Sequence, residues 1–138
     1  MKASIADRIQ AALRQENLNG WLFCSFRGSD SIAEKILQLD HSRLATRRWF
    51  YFVPAVGEPT KPVHAIEPEM LDALPGEKKV YLPWQQLHSH LGNFLADSRR
   101  VAMQYSPLHA IPYISCIDAG TVELVRCPNA QDRRCDFW

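Results

Sequence analysis

The chain has 138 residues, 46% hydrophobic and 22% charged, with sixteen basic and fifteen acidic side chains and a formal net charge of +1. This size and composition describe one folded domain that can bury a core without staples, and they exclude intrinsic disorder. Near-neutrality excludes a field that would collect nucleic acid or an anionic membrane, and the Arg-Arg pairs at 47–48, 99–100 and 133–134 are spread along the chain.

Ser4 and Asp7 make a cap signal ahead of Ile5, Ile9, Ala12 and Leu13, which share one face of a helix running to about Glu16. Asn17 to Gly20 stops it. Gly20 to Phe26 is a short aromatic-rich apolar run and reads as a buried strand. The polar turn Arg27-Gly28-Ser29-Asp30 follows, and Ser31 with Glu34 forms a capping box that starts a second helix carrying Ile32, Ala33, Ile36 and Leu37 on one side. Arg27 stands where the strand ends, positioned either to brace the turn or to bind an anion.

Thr46 to Val53, with five consecutive apolar and aromatic residues after Arg48, fits a central strand covered on both faces. Pro54 and the Gly57-Glu58-Pro59 turn lead to an antiparallel partner at about Pro62 to Ile66. Pro68 suits a first helical position, so Met70, Leu71 and Leu74 are expected on a short helix that Pro75-Gly76 breaks. Lys79 to Leu82 reads as a strand. Pro83 opens a helix with Trp84, Leu87, Leu91, Phe94 and Leu95 as a core stripe. Val101 to Tyr105 reads as a last strand, and Asp118 caps a last helix through Arg126. Alternating helices and strands with a hairpin indicate an α/β domain, a mixed β-sheet flanked by helices, over residues 1–126, with an irregular tail at 127–138.

No apolar run reaches the ~20 residues of a membrane-spanning helix, and the N-terminus lacks a secretion signal's apolar core, so a cytoplasmic location is expected. Cys24, Cys116, Cys127 and Cys135 show no metal-binding spacing and are expected as reduced thiols. Phosphate-loop, dinucleotide-loop, nucleophile-elbow and zinc-helix motifs are absent. His88 and His90 point to different sides of their helix and read as solvated, and Glu67 and Glu69 suit a helix start better than an acid-base pair. The predicted strands carry no acidic residues to hold nuclease cations. Trp49, Tyr51, Trp84, Tyr113 and Trp138 are more aromatic material than one small sheet must bury, which leaves some of it for an interface.

The segments Gly20-Trp21-Leu22-Phe23, Phe26-Arg27-Gly28-Ser29, Thr46-Arg47-Arg48-Trp49-Phe50-Tyr51, Leu74-Pro75-Gly76-Glu77-Lys78, Val101-Ala102-Met103-Gln104-Tyr105-Ser106-Pro107, Ala110-Ile111-Pro112-Tyr113 and Asp118 to Arg126 occur in this order. Together they resemble the N-terminal creatinase/prolidase-type domain of Xaa-Pro aminopeptidases over about Leu18 to Arg126. The resemblance implies a sheet of ribonuclease H-like shape preceding a separate pita-bread catalytic domain. There two Asp, one His and two Glu would hold a pair of divalent metals, Mn or similar, leaving no cofactor, metal or catalytic residue in this chain. It implies a homodimer or a pita-bread catalytic domain as partner, with Phe26, Arg27, Gly28, Ser29 and Asp30 facing the substrate pocket. The turn departs from the family's usual Arg-Gly-Ser-Asn-Pro by carrying Asp30 and Ser31. The tail at Cys127 to Trp138 departs from it too, as expected of a truncated or frame-shifted gene or a fragment of a longer product.

Three functions follow as expectations. The first is an oligomerising, active-site-shielding domain that is silent alone. The second is a free-standing peptide- or small-anion-binding module using Arg27. The third is a remnant without present function.

Overall fold

The computed structural model describes residues 3–39, 45–96 and 98–126. Helix α1 (Ile5–Gln15) opens with a full capping box, in which the Asp7 N–H donates to Ser4 Oγ at 3.1 Å and the Ser4 N–H to Asp7 Oδ2 at 3.0 Å. It ends where Asn17 turns left-handed at φ 57°. Strands β1 (Gly20–Ser25) and β2 (Trp49–Pro54) pair antiparallel along their whole length, from Gly20 opposite Pro54 to Ser25 opposite Trp49. Helix α2 (Ser31–Ile36) lies between them in sequence. Strand β3 (Thr60–His64) is the antiparallel neighbour of β2, starting two residues earlier than expected. Strand β4 (Glu77–Tyr81) runs parallel to β3. Helix α3 (Trp84–Leu95), strand β5 (Val101–Ala102) and helix α4 (Ala119–Arg126) complete the regular elements. The sheet order is β4-β3-β2-β1-β5, with β5 parallel to β1, so β2 is central as its composition requires.

The alternation of side chains along β1 and β2 divides the core in two. Phe23, Trp49, Tyr51 and Val53 face Ile9 and Leu13 of α1 and Ala33 of α2. Leu22, Cys24, Phe50 and Phe52 face Leu87, Leu91 and Leu95 of α3. Each fully buried aromatic contributes roughly 1.5–3 kcal/mol relative to exposure. Gly20 is needed by this packing, because a Cβ there would lie 2.5 Å from the Phe52 ring.

Four expectations require correction. Residues 65–74 form successive turns rather than a helix. The turns close through short bonds such as the Leu74 N–H to the Leu71 carbonyl at 3.0 Å, and Lys61, buried in β3, donates from Nζ to the Leu74 carbonyl at 2.8 Å and the Leu71 carbonyl at 3.3 Å, at the end of the segment where Pro75 has no N–H to continue a helix. Leu71 and Leu74 are buried all the same. The last strand is confined to Val101–Ala102, since the Gln104 carbonyl accepts the N–H groups of Cys116 at 2.8 Å and Ile117 at 3.1 Å instead. Trp84 leaves the α3 core stripe and is 57% exposed. Strand β4 does contain an acidic residue, Glu77, but it is exposed at the sheet edge and paired with Lys79 at 2.8 Å. Of the surplus aromatics, Trp49 and Tyr51 are core, Trp84 and Tyr113 are exposed, and Trp138 lies outside the described residues, as do Cys127, Cys135 and the expected tail.

Candidate functional site

The end of β1 projects Phe26, Arg27, Gly28 and Ser29 outward as one tight turn. The Ser29 N–H donates to the Phe26 carbonyl at 3.1 Å and the Phe26 N–H to Ser29 Oγ at 3.2 Å. Arg27 and Gly28 are left-handed, at φ 53° and 73°. That conformation is strained for an arginine, so the turn is held by what surrounds it. All four residues are exposed. Arg27 makes no hydrogen bond or ion pair with the described residues, so it does not brace the turn through its guanidinium.

Asp30 behaves differently from the rest. It is fully buried, and it rather than Ser31 caps α2, with Oδ1 accepting the Ala33 N–H at 3.0 Å. The capping box expected of Ser31 and Glu34 is replaced because the Asp30 carboxylate reaches the orphan N–H from inside the fold. Its Oδ2 accepts Gln104 Nε2 at 2.7 Å, and Gln104 Oε1 accepts Trp21 Nε1 at 2.7 Å. The Asp30 N–H donates to Ser25 Oγ at 3.3 Å. Burial raises the Asp30 carboxyl above the ordinary range, and its hydrogen bonds from Ala33 and Gln104 oppose the rise.

Gln104 is the residue that the sequence reading missed. It is 3% exposed and stands 83 residues from one partner and 74 from the other. Its one sequence signal is an amide among Val101, Ala102, Met103 and Tyr105, since a buried amide demands partners. It also anchors the segment after β5, which carries Leu108 (100% exposed) and Tyr113 (90% exposed). Leu108 and His109 are both left-handed there. The Ile111 N–H donates to Ser106 Oγ at 2.9 Å, which holds this loop in shape.

Beside the turn, a depression of about 20 Å³ is bordered by Phe26, Ser29, Arg48, Cys116, Asp118 and Thr121. It has room for no more than a water molecule. Asp118 caps α4 through the Thr121 N–H at 3.0 Å and accepts Thr121 Oγ1 at 2.7 Å; burial raises its carboxyl, but these bonds outweigh burial and hold it low. Cys24 is pushed up to about 12 by burial, then by Asp30 and Asp118, so it is an unreactive core thiol. Burial also raises Cys116.

The remaining candidates do not converge. His88 is not simply solvated: its Nδ1 is buried without a partner, its ring packs edge-on against Trp84 at 4.9 Å, and burial followed by Arg48 lowers its pKa. His64 Nδ1 accepts the Ile66 N–H at 3.0 Å. Glu67 accepts from Thr46 and Arg47, which outweigh its partial burial and lower its pKa. Among the described residues, no three His, Cys, Asp or Glu side chains are grouped to share a metal ion, and no helix is long and apolar enough to cross a membrane.

No family model matches the chain, and no curated protein does. Solved structures do. The prolidase from Pyrococcus horikoshii OT3 superposes with a TM-score of 0.58 at 9% identity, over 88% of this chain and 29% of that one. A proline dipeptidase from Streptococcus pneumoniae gives 0.51 at 25% identity, over 75% of each chain. A proline dipeptidase from Streptococcus agalactiae gives 0.52 at 18% identity, over 80% of this chain and 95% of that one. The chain thus spans less than a third of the length of the Pyrococcus prolidase. Its five-stranded mixed sheet with helices on both faces is a fold found in prolidase and proline dipeptidase structures.

Proposed function

We propose that this chain is a non-catalytic domain of the prolidase type, which assembles with a second copy or with a metal-bearing pita-bread domain and shields the substrate pocket there. The observation that carries this reading is the Phe26–Ser29 turn, pushed outward in a strained conformation beside buried Asp30 and Gln104, with half-buried Trp21 bonded to Gln104. A rigid scaffold that presents exposed side chains on a strained turn is the usual arrangement of a recognition element. The described Asp7, Asp30 and Asp118 side chains serve as helix caps and Glu67 as a backbone acceptor, so these carboxylates are committed to structure.

The test is the mass of the pure chain by light scattering, together with a Xaa-Pro peptidase assay in Mn²⁺. A dimer without turnover is expected. Turnover by the pure chain would overturn the proposal. A second reading, a peptide- or small-anion-binding module, is favoured by the exposed Arg27 guanidinium, which no described residue engages. Arg27→Ala should then abolish binding of an anionic peptide with the fold intact, and unchanged affinity would exclude it.

A further inference from the structure

Helix α3 begins with little to hold it. Its N-cap is Pro83, which has no side-chain acceptor, and its first turn, Trp84 to Leu87, carries no carboxylate for the helix dipole. The turn is closed by the Gln86 N–H donating to the Pro83 carbonyl at 3.1 Å and by the Leu82 N–H donating to Gln86 Oε1 at 3.0 Å. Trp84 is fastened to the next turn by His88, four residues on along the same face, with ring centroids 4.9 Å apart and planes at 63°. Trp84 is 57% exposed and Leu82 62% exposed, so this contact holds down an apolar pair at the surface.

The His88 ring is badly placed to carry a proton. Its Nδ1 is buried without a partner. A neutral ring can leave that nitrogen as an unused acceptor, whereas an imidazolium must present an N–H there. Around α3 stand Arg48 before β2, Cys24 on β1, His64 on β3 edge-on to Tyr81, Tyr81 on β4 with its hydroxyl on the Arg48 carbonyl, the Lys79–Glu77 pair on the same strand, and Asp118 and Glu123 at α4, where Asp118 is committed to Thr121. Among the described residues only Arg48 acts on His88, and it repels a proton; no carboxylate offsets it. A cation gains from an aromatic ring, but at a half-exposed site that gain is smaller than the loss from a buried N–H without an acceptor.

We infer that Trp84 and His88 form a proton-sensitive latch on the first turn of α3, closed while His88 is neutral and opened when a proton from solvent forces the ring out to hydrate Nδ1, which frees Trp84 and Leu82. Burial and then Arg48 lower the folded pKa, so the folded state binds this proton less tightly than the unfolded chain. The latch's contribution is complete above the ordinary histidine value of about 6.5 and is lost as pH falls through the folded value. The inference goes beyond the proposed assembly role, because it needs neither the Arg27 turn nor a partner.

Heteronuclear NMR of the full chain from about pH 8 to about pH 4.5 tests it, with the His88 signals assigned by their loss in His88→Gln. The His88 ring should titrate below about 6.5, and the Trp84 indole N–H should move with the same midpoint. Protection of the His88 backbone N–H against exchange should fall about tenfold or more below that midpoint, while that of Leu91, deeper in α3, persists. His88→Gln, which takes up no proton, should hold the Trp84 signal constant. Trp84→Ala should uncover Nδ1 and return the His88 midpoint toward the ordinary value. A parent midpoint at or above that value would overturn the inference, since the Trp84 ring would then gain more from the proton than the buried N–H loses. So would a Trp84 signal that ignores the His88 titration or still moves in His88→Gln, or an equal loss of protection at Leu91, which would mark general unfolding.

Discussion

Exchanging Asp30 for Asn keeps the shape of the side chain and reverses the polarity of one atom. Trp21 can only donate, so Gln104 must turn its oxygen toward the indole and its NH₂ toward residue 30, which must therefore accept. An asparagine at this position can keep the Ala33 cap and face NH₂ with NH₂, or accept from Gln104 and lose the cap. Either outcome leaves a buried polar group unpaired, at about 1–3 kcal/mol, partly offset because the desolvated carboxylate is gone. The net expectation for Asp30→Asn is a loss of about 1–2 kcal/mol, or roughly 3–8 °C in Tm for a domain of this size. Gln104→Glu alone sets two carboxylates against each other and should be worse at neutral pH, recovering as acid supplies a shared proton. The pair Asp30→Asn with Gln104→Glu restores every bond: the introduced carboxylate accepts from Trp21 and from the new amide, which still caps Ala33. Urea unfolding followed by tryptophan fluorescence should show a favourable coupling of about 1–3 kcal/mol. Additive losses, or an Asp30→Asn chain as stable as the parent, would refute the donor and acceptor assignment.

The raised pKa of Asp30 also has a sign. The folded state binds this proton more tightly than the unfolded chain, so the associated stability is complete below the ordinary carboxylate pKa and is lost as pH rises through the folded value. Asp118 and Glu67 act in reverse, losing their contribution in acid, so the Asp30 component should emerge as the difference between parent and Asp30→Asn melts across the acid range. Gly20→Ala drives a Cβ into the Phe52 ring and should destabilise the domain by about 1–3 kcal/mol; a neutral effect would show that β1 and β2 can separate. Leu87→Ala in the α3 core should remove about 2–5 kcal/mol in the same unfolding assay, and a loss below this range would mean that α3 settles into the space. Native Cys24 should resist iodoacetamide at mildly alkaline pH and react once urea unfolds the chain, as read by peptide mass; labelling in the native state would contradict its burial.

The sequence by itself determined the order and type of most elements. Ser4 and Asp7, the aromatic run from Trp49 and the turn at Gly57 act through neighbours a few residues away, and their chemistry can be read locally. The outward turn at Arg27 was legible for the same reason, as polar residues after a buried strand. What the tertiary structure alone decided concerns groups whose partners are distant in sequence. Asp30 looked like one more residue of an exposed turn, but Gln104 draws it inside and makes it the cap of α2. Lys61 is buried, and it serves the carbonyls of Leu71 and Leu74, 10 and 13 residues further along the chain. A buried donor or acceptor takes whichever partner the fold brings within about 3 Å, and spacing along the chain carries no record of that choice.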